Sequence, residues 1–99
     1  MRLVQLPEFG TWLGEETAKS RAQVDARLKK IEENDYFGDA KDLGGGLAEL
    51  KWGNGRRVYF SVIQDAKGKL VVLILGGNKN GQSQDITAAR RILENYQQK

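Results

Sequence analysis

The chain predicts an α+β domain: two N-terminal helices packed on a small antiparallel sheet, followed by a C-terminal helix. Three observations predict it. Apolar residues recur at helical spacing before residue 34, two alternating segments flank Gly53-Asn54-Gly55, and helical spacing resumes after Ser83. At 99 residues the chain is read as one domain, residues 1–99, large enough for a single core.

Arg2 to Leu6 alternates polar and apolar residues and is read as a short first strand. Pro7 suits the first turn of a helix, with Glu8 favouring its positive end. Phe9, Trp12 and Leu13 follow at i, i+3, i+4 as a buried stripe, and Gly14 breaks or bends this helix. A longer helix then runs from about Glu15 to Glu33, with Ala18, Ala22, Asp25 or Ala26, Leu28 and Ile31 as its inner stripe. Asn34 to Gly46 reads as a loop ending in three glycines. A phosphate cradle there is disfavoured, because no helix follows and the lysine-plus-hydroxyl ending of a P-loop is missing.

Strands are predicted over Leu47 to Trp52 and Arg56 to Ile63, with Asp65 to Lys69 as a second turn. Leu70 to Leu75 is continuously apolar, as expected of a strand covered on both faces. Gly76 to Gln82 is read as a loop. Ser83 then caps a helix that carries Asp85 in its first turn and buries Ile86, Ala89, Leu93 and Tyr96.

Composition narrows the chemistry. With no cysteine and no histidine, disulfides, thiolate nucleophiles and the usual neutral-pH general base are excluded. No metal and no cofactor is expected. No apolar run approaches a membrane span, and Met1 to Pro7 lacks a signal-peptide core, so no membrane partner and a cytoplasmic location are expected. The net charge is +3, but residues 1–46 sum to −2 and residues 47–99 to +5. A cationic C-terminal half suits a polyanionic partner.

The hairpin carries the most specific signal. If Trp52 opposes Arg56 across the turn, alternation puts Ala48, Leu50, Trp52, Val58 and Phe60 on a core face. Glu49, Lys51, Arg57 and Tyr59 then share the other face, with Lys51 directly opposite Arg57. Like charges opposed in a sheet are unfavourable, and an anionic ligand is one physical reason to place them there. Cleaving a phosphodiester through its 2′-hydroxyl needs a base, an acid and cations for the developing charge. Arg57 supplies the last. A lysine beside another cation loses its proton more readily, so Lys51 is a candidate base, with Glu49 its rival. Tyr59 can donate, accept or stack on a base. The competing reading is a half-solvated face on which Glu49 neutralises Lys51 and Arg57.

Several motifs together carry a resemblance. They are F-x-x-W-L (Phe9, Trp12, Leu13), A-R-L-K-K-I-E (Ala26 to Glu32), G-D-x-K-D-L-G (Gly38 to Gly44), R-V-Y-F (Arg57 to Phe60) and G-G-N-K-N-G-Q-S-Q-D-I (Gly76 to Ile86). In order and spacing the chain resembles bacterial addiction-module killer proteins, the HigB-type branch of the RelE/ParE toxin superfamily. The resemblance implies a type II toxin neutralised by a helix-turn-helix antitoxin, acting as a ribosome-dependent endoribonuclease on mRNA. Lys51 and Arg57 match the family's strand cations, Lys79 its later basic residue, and Tyr96 its late tyrosine. Arg56 stands where the family usually has an aromatic. With Lys30, Arg90, Arg91 and Tyr96, Arg56 is expected to contact RNA. Two other readings accompany it: a ParE-like gyrase inhibitor without nuclease activity, and an inactive binding relative. An interferase needs Lys51, Arg57 and Lys79; the alternatives do not.

Overall fold

Five strands and three α-helices make three layers. The computed structural model describes residues 1–98. In chain order the elements are β1 (Arg2–Gln5), α1 (Pro7–Glu15), α2 (Ala18–Asn34), β2 (Ala40–Gly44), β3 (Leu47–Lys51), β4 (Arg56–Asp65) and β5 (Gly68–Asn78). A 3-10 turn (Lys79–Gly81) then leads into α3 (Gln82–Gln97). The sheet order is β1-β5-β4-β3-β2. β1 runs parallel to β5, and the other neighbours are antiparallel. The α+β class is as the sequence predicts, while the sheet is mixed and has one strand more than the alternation marks.

That extra strand, β2, lies within the stretch read as a loop. Its residues are mostly exposed and it edges the sheet, so no apolar period announces it. Gly44, Gly45 and Gly46 all take positive φ in the tight connection to β3, the region that favours glycine.

α1 and α2 cover one face of the sheet. Phe9, Val24, Leu28, Ile31, Leu50, Val58, Phe60, Val71 and Leu73 form its core, with Trp12 and Leu13 alongside. Gly14 does not break α1, which runs through to Glu15. The chain turns instead at Thr17, whose side chain accepts from the Ser20 N–H at 3.1 Å and caps α2. The buried stripe of α2 is Ser20, Val24, Leu28 and Ile31. Ala18, Ala22, Asp25 and Ala26, expected inside, are exposed. Those alanines mislead because small side chains are compatible with either environment, whereas Val24 gains from burial.

α3 covers the opposite face. Leu6, Leu47, Tyr59, Leu70, Val72, Ile74, Ala89 and Leu93 form a second core there. The face expected to be polar and open is therefore roofed for most of its length. A bulge in β5 shapes its end. Tyr59 pairs with Leu75 and Phe60 with Leu73, so Ile74 is an extra residue. Ile74 and Leu75 both join the α3 core, and the alternation beyond them is reversed. Gly76 thus meets the Trp12 ring on the α1 side, where an added Cβ would lie 2.1 Å from it. Gly77 faces α3. The segment 76–78, read as loop, is the end of β5.

No helix among the described residues is long and apolar enough to cross a membrane.

Candidate functional site

The hairpin register is the one that alternation predicts: Ala48 pairs with Phe60, Glu49 with Tyr59, Leu50 with Val58 and Lys51 with Arg57. Glu49, Lys51, Arg57 and Tyr59 therefore do share a face. Their surroundings differ from expectation. Glu49 and Tyr59 are fully buried, and the Arg57 side chain is 11% exposed. Lys51, at the end of β3, is half-buried.

The start of α3 covers them. Gln82 is the first residue of the helix, and its Nε2 donates to both Glu49 oxygens, at 2.8 and 2.9 Å. Arg57 Nε lies 3.5 Å from Glu49 Oε1, an ion pair by distance without hydrogen-bond geometry. Arg57 Nη1 donates to the Arg56 carbonyl at 3.0 Å and to the Trp52 carbonyl at 3.5 Å. Both Arg57 Nε and the Tyr59 hydroxyl are buried with no hydrogen-bond partner among the described residues. The polar cluster is only partly satisfied.

Titration reflects that burial. The Tyr59 phenol is pushed up to about 12, first by desolvation, then by the Asp85 and Glu49 carboxylates, with Arg57 opposing. It is a neutral phenol at physiological pH. Burial likewise holds the Asp85 carboxyl above the usual carboxylate range. Asp85 presses on the Gly77 backbone, where an added Cβ would lie 2.1 Å from Oδ2. Only a glycine opposite Arg57 admits this carboxylate.

Lys79 closes the rim from the other side. Its N–H donates to the Gly55 carbonyl at 2.8 Å, and its stem lies over Gly55, where an added Cβ would meet Cγ at 3.2 Å. The 3-10 turn carrying it is capped by the Asn78 side chain, which accepts from the Asn80 N–H at 2.9 Å. α3 therefore begins at Gln82 from an uncapped Gly81, with Ser83 inside the helix rather than capping it.

The remaining candidates lie elsewhere. Lys30 and Arg56 belong to the α2 side. Lys30 lines an open cleft of about 450 Å³ with Gln23, Arg27, Trp52 and Asn54. Arg27 and Arg56 both lie over the Trp52 ring, at 4.4 and 5.5 Å from its centroid. Arg56 Nη1 also donates to Gln23 at 2.9 Å. Arg90 is engaged within the fold: it donates to the carbonyls of Leu43 at 2.8 Å and Gly44 at 3.0 Å, clasping the β2–β3 connection. Arg91 is exposed on α3. Tyr96 packs near Leu6, Pro7 and Ile63, at the far end of α3. It lies fourteen positions after Gln82 along the helix, about 20 Å away. It stands apart from the Lys51–Arg57–Lys79 rim.

Gln82 and Asp85 are site residues that the sequence reading does not single out. One signal points to them. Counting four residues N-terminally from the inner positions Ile86 and Ala89 lands on 82 and 85, so both lie on the buried face of α3. Among the described residues no group of three or more His, Cys, Asp or Glu is placed to hold a metal ion.

The geometry thus defines a three-layer domain whose sheet end carries a cationic rim over a buried carboxylate. That fold is the one found in RelE-type toxins. A mutant of E. coli toxin RelE in the free state superposes with a TM-score of 0.70 at 19% identity, covering 92% of this chain and 96% of that one. The RelBE2 toxin–antitoxin complex of Mycobacterium tuberculosis contains a chain matching at TM-score 0.63 and 14% identity, over 78% and 95%. The YoeB/ParE toxin from Agrobacterium tumefaciens matches at 0.59 and 14%, over 79% and 98%. No family model matches the sequence. An uncharacterized protein of Haemophilus influenzae is 34% identical over 89 residues, 87% of this chain and 86% of its own length, and the chain belongs to the same family as that protein.

Proposed function

We propose that the protein is the toxin of a type II toxin–antitoxin pair and acts as a ribosome-dependent endoribonuclease on mRNA. The observation that carries this reading is the rim itself: Lys51 opposite Arg57, with Lys79 held across the hairpin turn. Opposed cations in a ladder repel. Glu49 answers Arg57, but among the described residues no ion pair reaches Lys51 or Lys79, which leaves the rim cationic. The RelE-type fold and the HigB-type motifs support the same reading, and a solved neighbour described as a toxin–antitoxin complex supports an antitoxin partner. We assign that partner to the helix-turn-helix class that the motif resemblance implies.

In the proposed reaction the 2′-oxygen of a message nucleotide attacks its own 3′-phosphate. Lys51 takes the proton from O2′ as the O2′–P bond forms. The bond from phosphorus to the next O5′ breaks, and Lys79 returns a proton to that oxygen. The products are a 2′,3′-cyclic phosphate and a 5′-hydroxyl end. Arg57 meets the charge on the phosphorane oxygens. Glu49 is buried and bound at both oxygens, so its role is to hold Arg57 rather than to reach a substrate hydroxyl. Tyr59, buried and neutral, is likewise assigned to structure.

The test is in vitro translation with primer extension on the message. Wild type is expected to create new 5′ ends within the message only when ribosomes are present. Arg57→Ala and Lys79→Ala are each expected to lose about a hundredfold or more in rate. Intact message with protein synthesis undiminished sinks the reading and moves the assignment to a gyrase inhibitor or an inactive relative.

A further inference from the structure

We propose that Gln82 is a positioning residue: through Glu49 it holds the Arg57 guanidinium so that Nη2 faces a phosphate oxygen. This inference rests on the reading that Arg57 meets the scissile phosphate. Glu49 has no solvent exposure, so its charge depends on donors within the protein. Among the described residues Gln82 alone donates hydrogen bonds to its carboxylate, reaching both oxygens. The other group at that carboxylate is Arg57 Nε, 3.5 Å away.

Arg57 is constrained at two of its three nitrogens. Nε lies 3.5 Å from Glu49 Oε1, an electrostatic restraint without a hydrogen bond, and Nη1 is held by the Arg56 and Trp52 carbonyls. Among the described residues Nη2 has no hydrogen-bond partner, and it is not one of the buried, unpartnered atoms. A guanidinium is planar and rigid, so fixing Nε and Nη1 also fixes the direction of Nη2. Release of Glu49 removes one of these constraints. Glutamine suits position 82 because an amide satisfies a buried carboxylate without adding charge, and it cannot exchange a proton with the reaction. The groups around Glu49 are Lys41 from β2, Lys51 along β3, Arg57 and Tyr59 from β4, and Gln82 from α3, with Asp85 of α3 acting on the neighbouring Tyr59.

Gln82→Glu separates positioning from helix initiation. At the first turn of α3 an added negative charge favours the helix, so a role in helix initiation alone predicts wild-type cleavage. A role only in satisfying Glu49 predicts stability that falls as pH rises, while the Arg57 Nε resonance of the folded protein stays where it is in wild type. Positioning predicts that cleavage and resonance change together. Two carboxylates in contact hold one proton between them, and above their shared titration they repel. The variant should cut message like wild type in acid and fall by about tenfold per pH unit above that titration.

Two readouts are taken between roughly pH 5.5 and 8: single-turnover cleavage on programmed ribosomes, and the nitrogen-15 resonance of Arg57 Nε, assigned by its loss in Arg57→Lys. The expected result is an Nε resonance that titrates together with activity in Gln82→Glu and stays still in wild type. Gln82→Ala should lower kcat by about ten- to a hundredfold while KM for ribosomes stays within about twofold. Wild-type cleavage at every pH together with an unmoved resonance overturns the proposal. Should Gln82→Ala fail to fold, Gln82→Glu decides alone. If wild type cuts no message at all, the functional reading falls, while the Nε resonance still decides whether Gln82 holds Arg57.

Discussion

Tyr59 and Asp85 illustrate how burial changes what a side chain can do. Alternation places Tyr59 on the face of Arg57, and the ladder agrees. What alternation cannot convey is that a distant helix, α3, covers that face. The covering leaves the phenol hydroxyl unpartnered. Removing an unsatisfied buried hydroxyl costs little, so Tyr59→Phe should change stability by less than about 1 kcal/mol. Its cleavage rate should stay within about threefold of wild type. A loss beyond about a hundredfold would return the phenol to the chemistry. Asp85 gives a pH signature. Its folded carboxyl ionises at a higher pH than its unfolded one, because burial disfavours the charge. Stability therefore falls as pH rises between those two values, and the deficit persists above both. Asp85→Asn should melt at a higher temperature than wild type near neutrality, with the difference shrinking in acid. Melting curves at several pH values check this; a constant difference across pH refutes it.

Elements were legible where apolar period was strong. The hairpin register follows from alternation plus a glycine-rich turn, and β5 from its unbroken apolar run. β2 was not legible, because an exposed edge strand buries nothing that would leave a period. The apolar period locates α2 but not its phase, because its alanines suit an inner or an outer position while Val24 is the residue that is buried. That correction is testable. Leu28→Ala should cost about 2–5 kcal/mol, whereas Ala22→Ser on the exposed face should stay within about 0.5 kcal/mol. Equal costs in chemical denaturation would contradict the buried stripe. The bulge at Ile74 was also illegible, because an inserted residue is invisible in a run where every position is apolar. Yet it decides which way Gly76 and Gly77 face. Gly76→Ala should therefore cost about 1–3 kcal/mol or more by driving a methyl into the Trp12 ring.

At the scale of the molecule, charge asymmetry and layering work together. The cationic half of the sequence supplies β3 to β5 and α3, hence the whole rim of Lys51, Arg57 and Lys79. If these three side chains each neutralise one phosphate of a single strand, binding should fall with salt at a log–log slope of about −2. A slope near zero, measured by ribosome co-sedimentation across salt, would rule out phosphate contact. Because α3 lies across the sheet, the rim is assembled from segments far apart in the chain. Arg57 and Glu49 come from one hairpin, but Gln82 follows 25 positions after Arg57. A ribosome adding about 5–20 residues per second makes Gln82 about 1–5 s later than Arg57. During that interval the nascent hairpin carries its cations while Glu49 still lacks its donor. On the proposed function, message cleavage then begins only once the last helix has docked, and a newly made chain is briefly without it.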